Sequence, residues 1–252
     1  MPIEHDAPAQ LPVEHGFRLR GQQVTRLETF VDAAFAFSLT LLVIFYNELP
    51  DTVAELREAL RRVPTFALCF VLIAMFWSAH NRWSRRFGLE DARSTVLSLA
   101  FVLVVLVYVY PLRMVVSSGL SLATANFVPS ELGIDRAHWM LDLQTVFIVY
   151  GLGFALLSWL LWCLNAHALR RADALQLDAQ ERFNTRSEMG VHALMAGSAV
   201  ASVAISFVLL AVPERLLNHF VVSLPMWMYW VMGMLLWGYA ARRERRRTAA
   251  RA

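Results

Sequence analysis

The chain has 252 residues, of which 58% are hydrophobic and only 17% charged, and its mean hydropathy is +0.48. Such values lie far above those of a soluble domain and exclude one as the whole account; they describe a membrane protein. The formal charge is +3, there is no lysine, and the two cysteines, Cys69 and Cys163, fall inside apolar runs without a CxxC partner, which gives no basis for a disulfide framework or a zinc site.

The first ~20 residues carry His5, Asp6, Glu14 and several prolines in place of an apolar core and small-residue cleavage site, so no removable signal peptide is expected. Apolar segments then run over approximately 27–46, 65–84, 94–116, 143–166, 190–212 and 224–241. Each approaches or exceeds the ~20 residues that a helix needs to cross a bilayer. None shows the alternation of a barrel strand, and helices are the remaining way to satisfy the backbone within lipid. The expected fold is all-α, a polytopic bundle of six transmembrane helices. The domain division is a polar N-terminal segment over 1–23, the membrane domain over 24–241 and a basic tail over 242–252.

The arginines set the orientation. One side collects Arg18, Arg20, Arg26, Arg82, Arg85, Arg86, Arg93, Arg170, Arg171, Arg182, Arg186 and the tail, whereas Glu48, Asp51, Glu55 and Glu58 outweigh the basic residues in the first loop of the other. The positive-inside rule places both termini in the cytoplasm, as an even number of spans requires. The tail RRERRR is explained by topology and attraction to anionic headgroups, and no nucleic-acid partner is inferred from it.

Along the chain, the first span opens as RLETFVDAAFAFSLTLLVI. At ~100° per residue, Phe30, Ala33, Phe37, Leu41 and Ile44 form one stripe, Thr40 lies ~60° to its side, and Asp32 lies ~140° from Phe37, on a face assigned to the bundle. Residues 51–63 read as a short amphipathic helix with a Glu58–Arg62 pair, followed by Pro64 as the entry to the second span or a kink in a longer helix. His80 in the second span sits at the same depth as Asp32, so a charge-assisted hydrogen bond between them is the preferred expectation, with a proton or cation relay as the functional alternative. The stretch 117–141 reads as the longest loop. Gly151 with Ala155, and Gly190, Ala193, Gly197 and Ala201, read as close-packing faces of the fourth and fifth spans. Ser198, Ser202 and Ser206 read chiefly as backbone- or neighbour-bonded serines, with a polar pathway as the lesser alternative. The tryptophans at both ends of the last span read as interfacial anchors.

These residues resemble the transmembrane protein 175 potassium channel family, whose first helix carries R-x-x-x-F-S-D-G and then an apolar I/L-T-L-L-V stretch. Arg26, Phe30, Asp32, Thr40, Leu41, Leu42 and Val43 match, as do Trp77 and His80 in a W-x-x-H run and Tyr110-Pro111 at the end of the third helix. Val31, Ala33 and Phe37 depart from the family's serine, glycine and isoleucine. The resemblance implies a homotetramer in a bacterial plasma membrane, passing potassium or other monovalent cations passively through a pore lined by the first helix, with no cofactor. Phe37, Leu41 and Ile44 would form the stacked constriction and Thr40 the selectivity layer, while Arg26, Phe30, Asp32, Trp77 and His80 would form a motif network. No TVGYG filter is present.

Two other readings stand beside this one. A secondary transporter would want two related halves and broken helices, and no second R-x-x-x-F-x-D run occurs. A non-conducting structural homologue is suggested by the altered FSDG residues and the bulk of Phe37. An enzyme is not expected, because His80, His167 and His192 are scattered.

Overall fold

The computed structural model describes residues 11–14, 16–44, 51–133 and 138–249. Six long helices dominate it: α1 (Arg26–Ile44), α2 (Val53–Phe87), α3 (Ala92–Ala123), α4 (Trp139–Arg170), α5 (Ala179–Ala211) and, after the single turn α6 (His219–Val222), α7 (Leu224–Ala249). A two-stranded antiparallel hairpin, β1 (Val13–Glu14) and β2 (Phe17–Arg18), precedes them and is the one departure from an all-α chain among the described residues.

The helix starts follow from local chemistry. Thr52 and Glu55 form a capping box at α2 and Asp178 and Glu181 form another at α5, each satisfying backbone N–H groups that a first turn leaves free. Asp91 caps α3 by accepting from the Ser94 N–H at 2.8 Å. α2 stops at Gly88, which takes φ of 55°. A side chain there would be strained and would press on the Arg20 carbonyl, at 3.1 Å, so glycine is what lets the N-terminal segment lie against this corner.

α4 packs against both α3 and α5, α5 carries α7, and α1 lies at the other edge on α2 and α3. The core between α2, α3 and α4 is aromatic, with Phe76 making edge contacts to Phe101, Tyr108 and Phe154 at 5.4–6.4 Å between centroids. The close-packing reading of the small residues is supported at Gly151, where an added Cβ would come within 2.6 Å of Val203 Cγ2 on α5, and at Gly190, which is covered by the Tyr239 ring of α7. Of the serine stripe, Ser202 donates to Pro225 O at 2.8 Å, tying α5 to the start of α7.

Several expected boundaries move. Residues 51–63 do not form a separate helix: α2 is continuous through Pro64. Within its first turns Glu58 lies 2.9 Å from Arg61 and 3.9 Å from Arg62, so the i,i+3 pair is the tighter one. The third helix likewise does not close at Pro111 but continues to Ala123, which shortens the expected 117–141 loop. Proline at these points removes one backbone donor, and tertiary packing holds the helix on either side of it.

Four described helices, α2 to α5, are long and apolar enough to cross a membrane. α1 is 19 residues long with Arg26, Glu28 and Asp32 in its first two turns, and α7 is rich in tryptophan and tyrosine, so both fall outside that set. α7 extends the last apolar segment into the arginine block as one helix to Ala249.

The polar N-terminal segment is drawn onto the helix ends. Phe17 is buried edge-on against Phe87, 5.6 Å between centroids, under the Arg86 guanidinium. Arg20 grips the fully buried Glu181 with two hydrogen bonds of 3.0 and 2.9 Å and reaches Leu175 O at 2.9 Å. This segment leads directly into α1 and fixes where that helix begins.

Candidate functional site

α1 presents two unlike faces. Val31, Phe35, Ser38 and Leu42, spaced four, three and four apart, are buried against the bundle, with the Phe35 ring tilted against Phe101 at 5.8 Å between centroids. Opposite them Phe30, Ala33, Phe37 and Thr40 are exposed, with Phe30 54% and Phe37 55% accessible. On a ~100° wheel the exposed arc spans roughly 160°, from Asp32 to Phe30, and its midline passes through Thr40, with Ala33 beside it. Phe37 and Asp32 lie toward its two sides.

The anticipated stripe is therefore rotated. Leu41 is half-buried and packs partly on the core, Val43 is 48% exposed, and the side chain of Ile44 lies outside the described residues. Small and hydroxyl residues occupy the centre of the open face, and the bulky Phe37 flanks it. Thr40 Oγ1 donates to Ala36 O at 3.1 Å, and Ser38, on the buried side, donates to Ala34 O at 2.8 Å.

Asp32 lies at the edge of the open face, beside α2, and makes no hydrogen bond to His80 among the described residues. It is exposed, and it accepts a 2.7 Å hydrogen bond from Trp77 Nε1. His80 is buried, stacks on Phe101 with an interplanar angle of 13°, and sets Nε2 2.9 Å from Ser98 Oγ on α3. The expected single network is thus two ties, Asp32–Trp77 joining α1 to α2 and His80–Ser98 joining α2 to α3. His80 is turned into the core, against Phe101 and Ser98 of α3, whereas the Trp77 indole reaches the edge of α1. Arg26 makes no hydrogen bond or ion pair among the described residues. It opens, with Arg20, Thr25, Glu28 and Glu90, onto a cavity of about 910 Å³ between the N-terminal segment and the α2–α3 corner. Phe30 extends outward without a ring partner among the described residues.

At the same end, Asp91 accepts from His167 Nε2 at 2.7 Å and from Arg171 at 3.1 Å. Partial burial works against ionisation of this carboxylate, but the Ser94 N–H and hydroxyl and the His167 contact outweigh it and bring its pKa down to about 2. The cluster fastens the start of α3 to the end of α4.

At the far end of α1, Arg113 is buried on α3, donates to Leu42 O at 3.1 Å and pairs with Glu131. Sequence reasoning counted Arg113 only as a charge on the outer side, near the end of the 94–116 segment, and left Glu131 unassigned. The available signal was a lone arginine two residues past Pro111 in an otherwise apolar run.

A sequence model of the family described as "Endosomal/lysosomal potassium channel TMEM175" matches residues 26–111, the stretch from Arg26 through Pro111. A protein of Marivirga tractuosa named "Potassium channel" is 31% identical over 198 residues, spanning 76% of this chain and 78% of the relative. The chain belongs to the TMEM175 potassium channel family. The crystal structure of a variant of the potassium channel MtTMEM175, in complex with a nanobody–MBP fusion protein, superposes with a TM-score of 0.76 at 27% identity, covering 92% of this chain and all of that one. The TMEM175 match begins at Arg26 and takes in α1, α2 and most of α3, so it includes both ties. Family membership also answers the question of class: TMEM175 proteins are channels, not enzymes.

Proposed function

We propose that the chain is one subunit of a potassium-preferring cation channel of the plasma membrane, in which four copies place α1 around a central pathway. All six long helices cross the bilayer in this reading, α1 and α7 included, with both termini in the cytoplasm. The observation that carries it is the face of α1: a sequence apolar enough for lipid, packed on one side only, with Thr40 at the midline of the other.

The residues have distinct parts. The Thr40 proton is committed to Ala36 O, which leaves oxygen lone pairs as the outward chemistry of the hydroxyl and suits a cation shedding part of its water. Phe37, one turn nearer the N-terminal end on the same open face, supplies an apolar constriction that opens by wetting and closes by dewetting. The Trp77–Asp32 bond holds the entry of α1 to α2. No cofactor takes part, and the partners are potassium or other monovalent cations, the bilayer and three further copies of the chain.

Potassium flux into liposomes, measured on protein whose oligomer is four by mass, tests the reading. Flux above that of protein-free liposomes is expected. A tetramer with no flux favours the non-conducting homologue, and coupled uphill transport favours the secondary transporter.

A further inference from the structure

We propose that Arg113 is a positioning residue for the conduction pathway: from behind α1 it holds the C-terminal turn of that helix back toward α3, and Glu131 holds Arg113. The inference rests on the reading that α1 lines the pathway. Arg113 lies on α3, 7% exposed, and among the described residues its guanidinium engages both Leu42 and Glu131. One N–H donates to the Leu42 carbonyl at 3.1 Å, a second donates to Glu131 Oε1 at 2.7 Å, and Nε faces the other carboxylate oxygen. Glu131 is anchored in turn, since its backbone N–H donates to Ser117 Oγ at 3.0 Å and Arg62 of α2 lies 3.9 Å from its carboxylate.

Leu42 belongs to the last described turn of α1, and its carbonyl is where the Arg113 N–H engages that helix. Its side chain is 1% exposed and faces the bundle, so the Arg113 bond pulls this turn away from the open Thr40 face. Leu41, Val43 and Ile44 share the turn and move with it. Lysine keeps the charge but has no planar fork with which to bridge a carbonyl and a carboxylate together. Arg113→Lys therefore releases the turn without discharging the site, and α1 leans toward the axis.

The test uses the full-length protein in liposomes, with Cys163 replaced by alanine and spin labels on Val43→Cys and Leu122→Cys, both exposed positions, and with labelled chains diluted by unlabelled ones. In Arg113→Lys the Val43–Leu122 distance distribution broadens and shifts, and potassium flux falls severalfold while the tetramer persists. Glu131→Gln shifts the distribution in the same direction. The double variant Arg113→Leu/Glu131→Leu removes both charges of the pair together and stands in if a single variant fails to fold; it too shifts the distance. An unchanged distance distribution in the folded variants overturns the proposal, as does a shifted one with undiminished flux. A wild-type protein without flux whose label distance still shifts in Arg113→Lys separates a failed channel reading from a failed latch.

Discussion

Phe37 and Thr40 carry most of the functional argument, and their neighbours explain why. One turn apart on the open face of α1, one offers a ring that is 55% exposed and the other an oxygen whose proton is already engaged. Replacing Phe37 by alanine removes the bulkiest group of the constriction and should raise potassium flux above wild type in liposomes; equal or lower flux would move the gate elsewhere. Trp77→Phe deletes the donor to Asp32 and should destabilise the α1–α2 contact by about 1 kcal/mol, measured by thermal unfolding in detergent. Asp32→Asn keeps an acceptor for Trp77 and should assemble normally, so a collapse of assembly in that variant would show that the charge itself is needed. The sequence made Arg26, Phe30, Asp32, Trp77 and His80 legible as a group. It did not reveal their partners, because hydrogen-bonding between helices depends on rotational phase, and a few tens of degrees turns Asp32 from His80 to Trp77.

At the scale of elements, the N-terminal segment and the helix corners fix α1 at its start. Glu181 is fully buried and serves as both the capping box of α5 and the anchor of Arg20, so Glu181→Ala should cost about 3–5 kcal/mol by leaving a buried guanidinium unpaired, read from unfolding midpoints. Asp91 offers a pH signature. Its pKa in the folded protein, about 2, lies below the ordinary value of 3.8, so its contribution is complete above pH 4 and is lost as pH falls toward 2. The wild-type melting temperature should drop over that interval, and Asp91→Asn should flatten that part of the profile. Helix existence was readable from apolar run length alone, since each of the six segments became a long helix. The ends were not: Pro111 looks like a boundary in sequence yet lies inside α3, and of the two readings of Pro64 the longer helix is the one that α2 adopts. The capping pairs Thr52/Glu55 and Asp178/Glu181 mark the true starts of α2 and α5.

For the whole molecule, the family and the six long helices describe a membrane channel protein in which α1 is an edge element, packed on α2 and α3 from one side. Composition announced a membrane protein, but only family resemblance reached a channel. Arg113 shows the limit most clearly: the sequence counts it only toward the charge of the outer side, whereas the fold turns it inward onto the last described turn of α1. The central claim, that the Thr40 face of α1 lines the conduction pathway, is tested most directly by thiol modification in protein whose Cys69 and Cys163 have been replaced. A small cationic thiol reagent applied to Thr40→Cys should abolish potassium current, while the same reagent on Ser38→Cys, on the buried face two residues away, should leave it intact. Block at Ser38→Cys with current through Thr40→Cys unaffected would contradict the account.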